Sequence, residues 1–86
     1  MFFVYVLKSK KDKNLYIGYT NDLKRRFEEH NQGKSKSTKS RVPFVLLYYE
    51  AYSSERDAKK REKNLKLRSR ALAQLKKRLE DTSELH

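Results

Sequence analysis

The stretch FFVYVLKSKKDKNLYIGYTNDLKRRFEEH, residues 2–30, carries the pattern that decides the fold. It opens with an apolar run, residues 2–7, which has the length of a buried strand and the β-branched and aromatic residues that strands favour. A polar, turn-like segment follows, and the chain resumes with a second apolar run at residues 15–19. The two runs predict an antiparallel hairpin with a long basic loop, which brings Tyr5 near Tyr16.

The hydrophobic period changes from two residues to about 3.6 after Thr20, which predicts a helix. Asn21 is the predicted N-cap, and Asp22 suits the positive end of the helix dipole. Arg26 and His30 are four residues apart, so they share one face of this helix beside its apolar stripe. The sequence therefore predicts that these two side chains point together along the edge of the sheet.

Further patterns complete the predicted domain. Residues 44–52 form a mostly apolar run after Pro43, and its length predicts the most covered strand of the sheet. Ser53 and Ser54 precede a helix with acidic residues in its first turn, and Ser69 can cap a last helix that has one apolar face. Helices between and after antiparallel strands predict an α+β domain, a three-stranded antiparallel sheet flanked by helices.

The chain has 86 residues, which predicts a single small domain that buries about 60% of its unfolded surface. We expect this domain to cover residues 1–80, with residues 81–86 as a frayed C-terminal tail. Charged residues make up 38% of the sequence and cysteine is absent, which fits a cytoplasmic protein without disulfides. The apolar start is too short for a membrane span and has no basic residue before it, so no membrane partner is predicted.

The formal net charge of +11 is the strongest signal in the composition. Residues 53–79 alone contain eleven cations against three acids. A polyanionic partner is expected, because cations that neutralise phosphates release counterions and so strengthen binding. Charge alone leaves DNA and RNA open, and a solvated, solubilising surface is the alternative explanation. The cations that we expect to contact nucleic acid are Lys34, Lys36, Lys39, Arg41 and Arg61.

Glu62 is an acid in an unusual position. Ala58, Glu62 and Leu65 share one stripe of the predicted helix, so the carboxylate falls on the face that should pack against the sheet. A buried carboxylate needs a cation, a set of hydrogen-bond donors or a metal ion to offset its lost hydration. The residues by themselves favour a salt bridge to an arginine, and a metal ion is the alternative.

Taken together, these residues resemble the GIY-YIG nuclease superfamily, and particularly its small stand-alone members. Tyr16-Ile17-Gly18 matches the family's second tripeptide outright, whereas the first tripeptide appears as Phe3-Val4-Tyr5 and lacks its glycine. Arg26, His30 and Glu62 follow in the family's order and spacing. The match covers roughly residues 1–66.

The resemblance implies an endonuclease that hydrolyses phosphodiester bonds. It implies that Tyr5 activates or positions the attacking water, with Tyr16 and His30 hydrogen bonded around it. It also implies that Arg26 binds the scissile phosphate and that Glu62 holds one Mg²⁺, or Mn²⁺ in its place. The ordinary pKa of a phenol is about 10, so Tyr5 can act as a base near neutral pH only if nearby cations lower its pKa.

The combined expectation is a magnesium-dependent endonuclease that binds nucleic acid, with DNA favoured over RNA. No motif for reading base edges is visible, so target choice is expected from the small surface itself or from a protein partner. A binding module on the same fold that cleaves slowly or not at all is the alternative, because the glycine is lost at Phe3. A basic protein that docks on RNA would use the same lysines without the site.

Overall fold

The computed structural model describes residues 1–67 and 69–79, and this part of the chain forms a three-stranded sheet with three α-helices. The strands are β1 (Phe2–Ser9), β2 (Leu15–Thr20) and β3 (Phe44–Tyr52). The α-helices are α1 (Leu23–Asn31), α2 (Glu55–Leu67) and α3 (Ser69–Arg78), and a short 3₁₀-helix spans Lys39–Arg41. The predicted α+β class is therefore confirmed. The predicted tail at residues 81–86 lies outside the described residues.

The sheet has the strand order β2-β1-β3 and is antiparallel throughout. β1 is the central strand, and residues 4–7 within it are all buried. β3 lies at an edge, where most of its side chains are only half-buried. The prediction that this third run is the most covered strand is therefore wrong. Coverage depends on the position of a strand in the sheet, which its apolar composition does not reveal.

The pleat of β1 sends alternate side chains into two separate cores. The first core lies between the sheet and helices α2 and α3, and its buried members are Val4, Val6, Ile17, Ala58, Leu65, Leu75 and Leu79. The second core lies on the opposite face, where α1 packs, and its buried members are Tyr5, Leu7 and Phe44. Tyr5 therefore faces α1, whereas Glu62 belongs to a helix on the other side of the sheet.

The N-cap of α1 is Asp22 rather than the predicted Asn21. The Asp22 carboxylate accepts a hydrogen bond from the amide N–H of Arg25 at 3.1 Å. Both residue types make good caps, so the sequence could not choose between two adjacent candidates. After the helix ends at Asn31, Gly33 has a φ of +72°, the left-handed conformation that commonly follows a helix.

Helices α2 and α3 follow their predicted patterns. The amide of Asp57 donates to Ser54 Oγ at 3.3 Å, so the predicted cap of α2 is confirmed. α3 buries Leu75 in the first core and packs Leu72 against it, as its apolar stripe predicts. Within the part of the chain that is described, none of the helices is long and apolar enough to cross a membrane.

Gly18 lies directly opposite Tyr5 on the neighbouring strand, and the Tyr5 ring covers it. A Cβ atom at position 18 would lie 2.5 Å from Cζ of Tyr5 and would also meet the Tyr5 hydroxyl oxygen. The Tyr5 side chain is buried, so its ring has little room to move aside. Close approach of the ring, rather than an unusual backbone conformation, is thus what requires glycine here.

We expect Gly18→Ala to lower the free energy of unfolding by about 1–3 kcal/mol, the usual cost of overpacking a core. Urea unfolding followed by circular dichroism measures this change. The same substitution in a Tyr5→Leu background should cost less, because the shorter side chain does not reach position 18. An equal cost in both backgrounds would show that the ring contact is not the constraint.

Candidate active site

A buried chain of hydrogen bonds links β1 to α1 and to the loop that follows α1. Tyr5 Oη and His30 Nε2 are 2.9 Å apart, and His30 Nδ1 is 2.8 Å from Thr38 Oγ1. Tyr5 is only 2% exposed, and His30 and Thr38 are completely buried. Both hydroxyl groups can donate or accept, so either neutral tautomer of His30 satisfies both ring nitrogens. These hydrogen bonds fix the position of the Tyr5 hydroxyl relative to α1.

The segment from residue 34 to residue 40 turns two of its side chains into the protein. Ser35 and Thr38 are buried, and the Ser35 carbonyl accepts hydrogen bonds from the amides of Thr38 and Lys39 at 3.1 and 2.9 Å. The sequence did not predict the bond between Thr38 and His30. Serine or threonine alternates with lysine throughout the segment, so nothing local marks the hydroxyl that turns inward.

The two strand tyrosines are close together, as the hairpin predicts. The ring centroids of Tyr5 and Tyr16 are 6.4 Å apart, and the Tyr16 ring also meets His30 edge-on at 5.0 Å. Tyr16 lies on the edge strand β2 and is half-buried, whereas Tyr5 lies on the central strand and is covered. Tyr16 is therefore the phenol of the pair that solvent can reach.

Burial raises the pKa of Tyr5 to about 12, and the neighbouring Tyr16 adds to the increase. The Arg26 guanidinium acts in the opposite direction but does not overcome the loss of hydration. The condition under which Tyr5 could act as a base near neutral pH, a pKa lowered below the ordinary value of a phenol, is therefore not met by the protein's own cations. Tyr5 is a protonated phenol at neutral pH.

Burial also lowers the pKa of His30 to about 4, and the positive charge of Arg26 contributes to the decrease. The ring is therefore neutral at neutral pH. A neutral imidazole can donate at one nitrogen and accept at the other, which matches the hydroxyl groups on its two sides.

Arg26 is the cation of α1 that acts on Tyr5, and it is partly accessible to solvent. Its side chain is 31% exposed, lies 3.4 Å from the Glu29 carboxylate, and donates to Ser35 Oγ at 3.3 Å. Both contacts are long for hydrogen bonds, and the guanidinium has donors to spare. Arg26 could therefore exchange these partners for a stronger anionic acceptor.

Glu62 approaches the tyrosines from α2. Its side chain is 21% exposed, and its Oε2 lies 3.4 Å from Nζ of Lys66. The same ammonium group lies 5.9 Å from the centroid of the Tyr16 ring, which places the ion pair beside that phenol. The Glu62 carboxylate is also near enough to Tyr5 to oppose its ionisation. The sequence favoured an arginine as partner of Glu62, and the partner in the structure is a lysine.

Glu62 fits a hydrated Mg²⁺ ion rather than a metal site built from several protein ligands. Over residues 1–67 and 69–79, no three or more His, Cys, Asp and Glu side chains converge in a way that could hold a metal ion. Mg²⁺ usually keeps several of its waters and takes one or two carboxylates from the protein. A single, partly exposed carboxylate next to Tyr16 meets that requirement.

The five cations that were expected to contact nucleic acid differ in their exposure and in their ion pairs. Lys34, Lys36 and Lys39 are exposed on the segment that carries Thr38, beside the site. Arg41 forms an ion pair within the protein, because its Nε donates to Asp12 at 2.6 Å. The three lysines are therefore the exposed members of this set on the segment next to the buried chain of hydrogen bonds, and a contact of Arg41 with nucleic acid stays a prediction.

Arg61 also has an internal role, which sequence reasoning missed. Its Nε and Nη2 donate to the Glu50 carboxylate at 2.9 and 3.1 Å. The same carboxylate accepts hydrogen bonds from the hydroxyl groups of Tyr48 and Tyr52 at 2.7 and 2.6 Å. Two of these four donors, both from Arg61, thus hold α2 to β3 on the face away from Tyr5. A groove of about 740 Å³ between α2 and α3 adjoins Arg61 and is separate from the tyrosine site.

Comparison with known proteins agrees with this geometry. A family model described as the GIY-YIG catalytic domain matches residues 1–78. A UPF0213 protein of Staphylococcus haemolyticus is 46% identical over 69 residues, which cover 79% of this chain and 83% of that protein. A UPF0213 protein of Streptococcus pyogenes is 48% identical over 75 residues, which cover 83% of this chain and 80% of that protein.

A solved structure also matches. The solution NMR structure of a UPF0213 protein from Bacillus halodurans is 40% identical, covers 87% of this chain and 82% of that chain, and superposes with a TM-score of 0.55. Together the family model and these relatives confirm the resemblance that the two tripeptides first indicated. The chain therefore belongs to the GIY-YIG family of nuclease domains.

Proposed function

We propose that this protein is an endonuclease that hydrolyses phosphodiester bonds with the help of one divalent metal ion, in DNA rather than RNA. The observation that carries the proposal is that a guanidinium from α1 and a carboxylate from α2 both approach the pair of strand phenols, from opposite faces of the sheet. These groups are Tyr5, Tyr16, Arg26 and Glu62, with His30 behind them. The net charge of +11 supports a polyanionic substrate. The cysteine-free, highly charged sequence supports a cytoplasmic site of action.

Arg26 is the group that would bind the scissile phosphate. A charge-assisted hydrogen bond to a phosphate oxygen is stronger than its long contact with the neutral Ser35 hydroxyl. Negative charge on the phosphoryl oxygens must be stabilised as the bond breaks, and a preorganised guanidinium stabilises it without reorganisation. The loop from residue 34 to residue 40 would add its exposed lysines to the flanking phosphates.

Tyr5 would act as a positioning group rather than as a base. Its pKa of about 12 keeps the phenol protonated, and His30 holds the hydroxyl in one place. Held in this way, the hydroxyl orients the Arg26 guanidinium and the half-exposed Tyr16 ring around the attacking water. Tyr16, as the accessible phenol, would make the hydrogen bond to that water.

Glu62 would hold the metal ion, which we infer to be Mg²⁺ or Mn²⁺. When bound, such an ion would supply Lewis-acid stabilisation of the leaving oxygen. The partner of the carboxylate, Lys66, is exposed, so its release would cost little. Glu62 itself contributes a negative charge at a fixed place beside Tyr16.

A binding module without turnover is the second candidate, and the covering of Tyr5 favours it. A group that is 2% exposed does not reach bulk water in the free protein. On this reading the basic surface binds nucleic acid, a protein partner supplies the target, and the buried chain of hydrogen bonds serves only stability. Cleavage measurements on matched variants separate the two candidates.

We expect Glu62→Gln to lower metal-dependent cleavage at least 100-fold, because Lewis-acid stabilisation contributes several kcal/mol, or about 100-fold or more. Labelled single-stranded, duplex, flapped and branched DNA, with matched RNA, would be incubated with Mg²⁺ or EDTA. Glu55→Gln is the matched control, since Glu55 also pairs with a lysine one turn later on the same helix. Cleavage that survives Glu62→Gln, or no cleavage of any substrate by the wild type, would favour the binding module. A strong preference for RNA would contradict the choice of DNA.

We expect Arg26→Ala to lower the rate of cleavage by about 10²–10³-fold, the usual effect of removing one preorganised donor to a developing negative charge. Arg26→Lys should restore only part of the rate, because an ammonium group lacks the planar fork. Single-turnover cleavage at saturating protein isolates this effect from binding. Arg25→Ala removes an adjacent exposed cation and serves as control. Equal losses of cleavage rate in Arg26→Ala and Arg25→Ala would mean that the net positive charge matters, rather than the position of Arg26.

We expect the stability of the protein to fall as the pH falls from 6.5 towards 4. The pKa of His30 is about 4 in the folded chain and 6.5 ordinarily, so the unfolded chain binds a proton that the folded chain does not. The contribution is complete above pH 6.5 and is lost across this window. Urea unfolding of the wild type and His30→Gln between pH 4 and 7.5 measures it. A difference between the two proteins that does not change with pH would exclude His30 as the titrating group.

A further inference from the structure

The face of the sheet that carries Tyr5 is only partly covered. Helix α1 packs over one half of this face through Leu23 and Phe27. At the other half stand Phe3 and Tyr49, which belong to neither of the two cores formed by the described residues. Tyr49 is 52% exposed, one of the most exposed large apolar side chains in the described structure. A half-buried Phe3 and an exposed Tyr49 therefore lie on a part of the sheet that neither core includes.

These two residues, the Phe3–Tyr49 pair, adjoin the candidate active site. Tyr49 is the direct partner of Tyr5 across strands β3 and β1, and Phe3 lies two residues before Tyr5 on the same face. Residues in direct opposition have Cβ atoms only about 4.5–5.5 Å apart. The rings of the pair meet edge to face, with centroids 6.0 Å apart and planes at 67°. A strand that occupies the Tyr5 site would thus pass over or beside the pair.

The size of the pair limits what can cover it. An aromatic side chain buries at most about 150–250 Å², whereas a stable protein interface needs about 800 Å² from each partner. The Phe3–Tyr49 pair is therefore too small to hold a second copy of the chain by itself. It is large enough for one planar ring.

The charge of the chain favours a nucleobase as that ring. Proteins that bind single-stranded nucleic acid combine cations that follow the phosphates with aromatic side chains on which successive bases stack. This chain has a net charge of +11 and exposes Lys34, Lys36 and Lys39 near the site. If a phosphate binds at Arg26 beside Tyr5, the aromatic pair that adjoins Tyr5 on β1 and β3 is placed to face a base of the same strand.

We propose that the Phe3–Tyr49 pair is a stacking platform for an unpaired base next to the scissile phosphate. The proposal rests on the proposed function, because it places the strand in the Tyr5 site. A base inside a duplex is stacked on its neighbours and must be taken out of the stack before another ring can cover it. The platform therefore selects single-stranded or flapped DNA over continuous duplex. Phe3 stands where the family's first tripeptide has glycine, so this departure supplies half of the platform.

The test compares two strands that have the same phosphates and differ only in their bases. Binding of a short oligothymidylate and of an equally long strand of abasic sites would be measured by fluorescence anisotropy in EDTA, so that no cleavage occurs. The wild type should bind the oligothymidylate roughly tenfold more tightly or better, as expected for base–aromatic stacking. Phe3→Ala and Tyr49→Ala should lose this preference while binding the abasic strand as before.

Matched variants separate stacking from general apolar contact and from folding. Phe3→Leu keeps an apolar side chain but has no aromatic face, so it should lose the preference while retaining the wild-type melting temperature. Leu67→Ala removes a side chain that is 71% exposed on α2, away from the platform, and should keep the preference. A 2-aminopurine base in the strand should be quenched by the wild type and by Leu67→Ala but not by Phe3→Ala.

Three results would overturn the platform. The first is equal binding of both strands by the wild type. The second is a parallel loss of both strands in the alanine variants, which would mean that the pair supports the fold rather than a base. The third is a wild-type dimer in sedimentation that Tyr49→Ala dissociates, which would make a second copy the occupant. Absence of cleavage together with an intact base preference would instead contradict the proposed function and leave the platform standing.

Discussion

The hydrogen bond between Tyr5 and His30 joins the parts of the molecule that the site requires. Tyr5 belongs to the central strand, His30 to α1, and the second nitrogen of His30 bonds Thr38 in the following loop. All three side chains are buried, so loss of either hydrogen bond leaves a polar group without a partner. This loss lowers the free energy of unfolding by about 1–3 kcal/mol. The bond that fixes the phenol therefore also fixes the helix and the loop that carry the cations.

Adjacent residues anchor the C-terminal end of α1 to two strands. His30 joins it to Tyr5 on β1, and the Tyr5 ring leans over Gly18 on β2, where a side chain would collide with it. Asn31 joins the same end of α1 to the start of β3, because it donates to the Phe44 carbonyl at 3.1 Å and accepts from the Phe44 amide at 2.6 Å. The end of α1 that carries the site is therefore fixed to both β1 and β3.

What the sequence predicted correctly is local. Strand and helix periods and the Ser54 cap depend on neighbours within a few residues, and the sequence shows them directly. Apart from the choice of Asp22 over Asn21 as N-cap, the errors and omissions depend on contacts between distant segments. The edge position of β3 and the hydroxyl of Thr38 that faces His30 are fixed only when the sheet assembles.

The contacts of charged groups also depend on distant segments of the chain. A count of arginines could not show that Arg61 would form an ion pair with Glu50, eleven residues earlier on β3. The spacing of Arg26 and His30 did predict that the two would share a face, yet it could not predict how deeply His30 would be covered. Burial depth, in turn, decides that the ring is neutral.

The electrostatics of the site follow from this depth of burial. Although the chain carries a charge of +11, the groups at the centre of the site are uncharged, since burial holds Tyr5 as a phenol and His30 as a neutral imidazole. The charged groups lie at the rim of the site, which consists of Arg26 on one side and the Glu62–Lys66 ion pair on the other. A phosphate placed between them would meet its cation at Arg26, and the phenols would contribute direction rather than charge. In the proposed function, the neutral centre would therefore orient the substrate, while the charged rim would bind it.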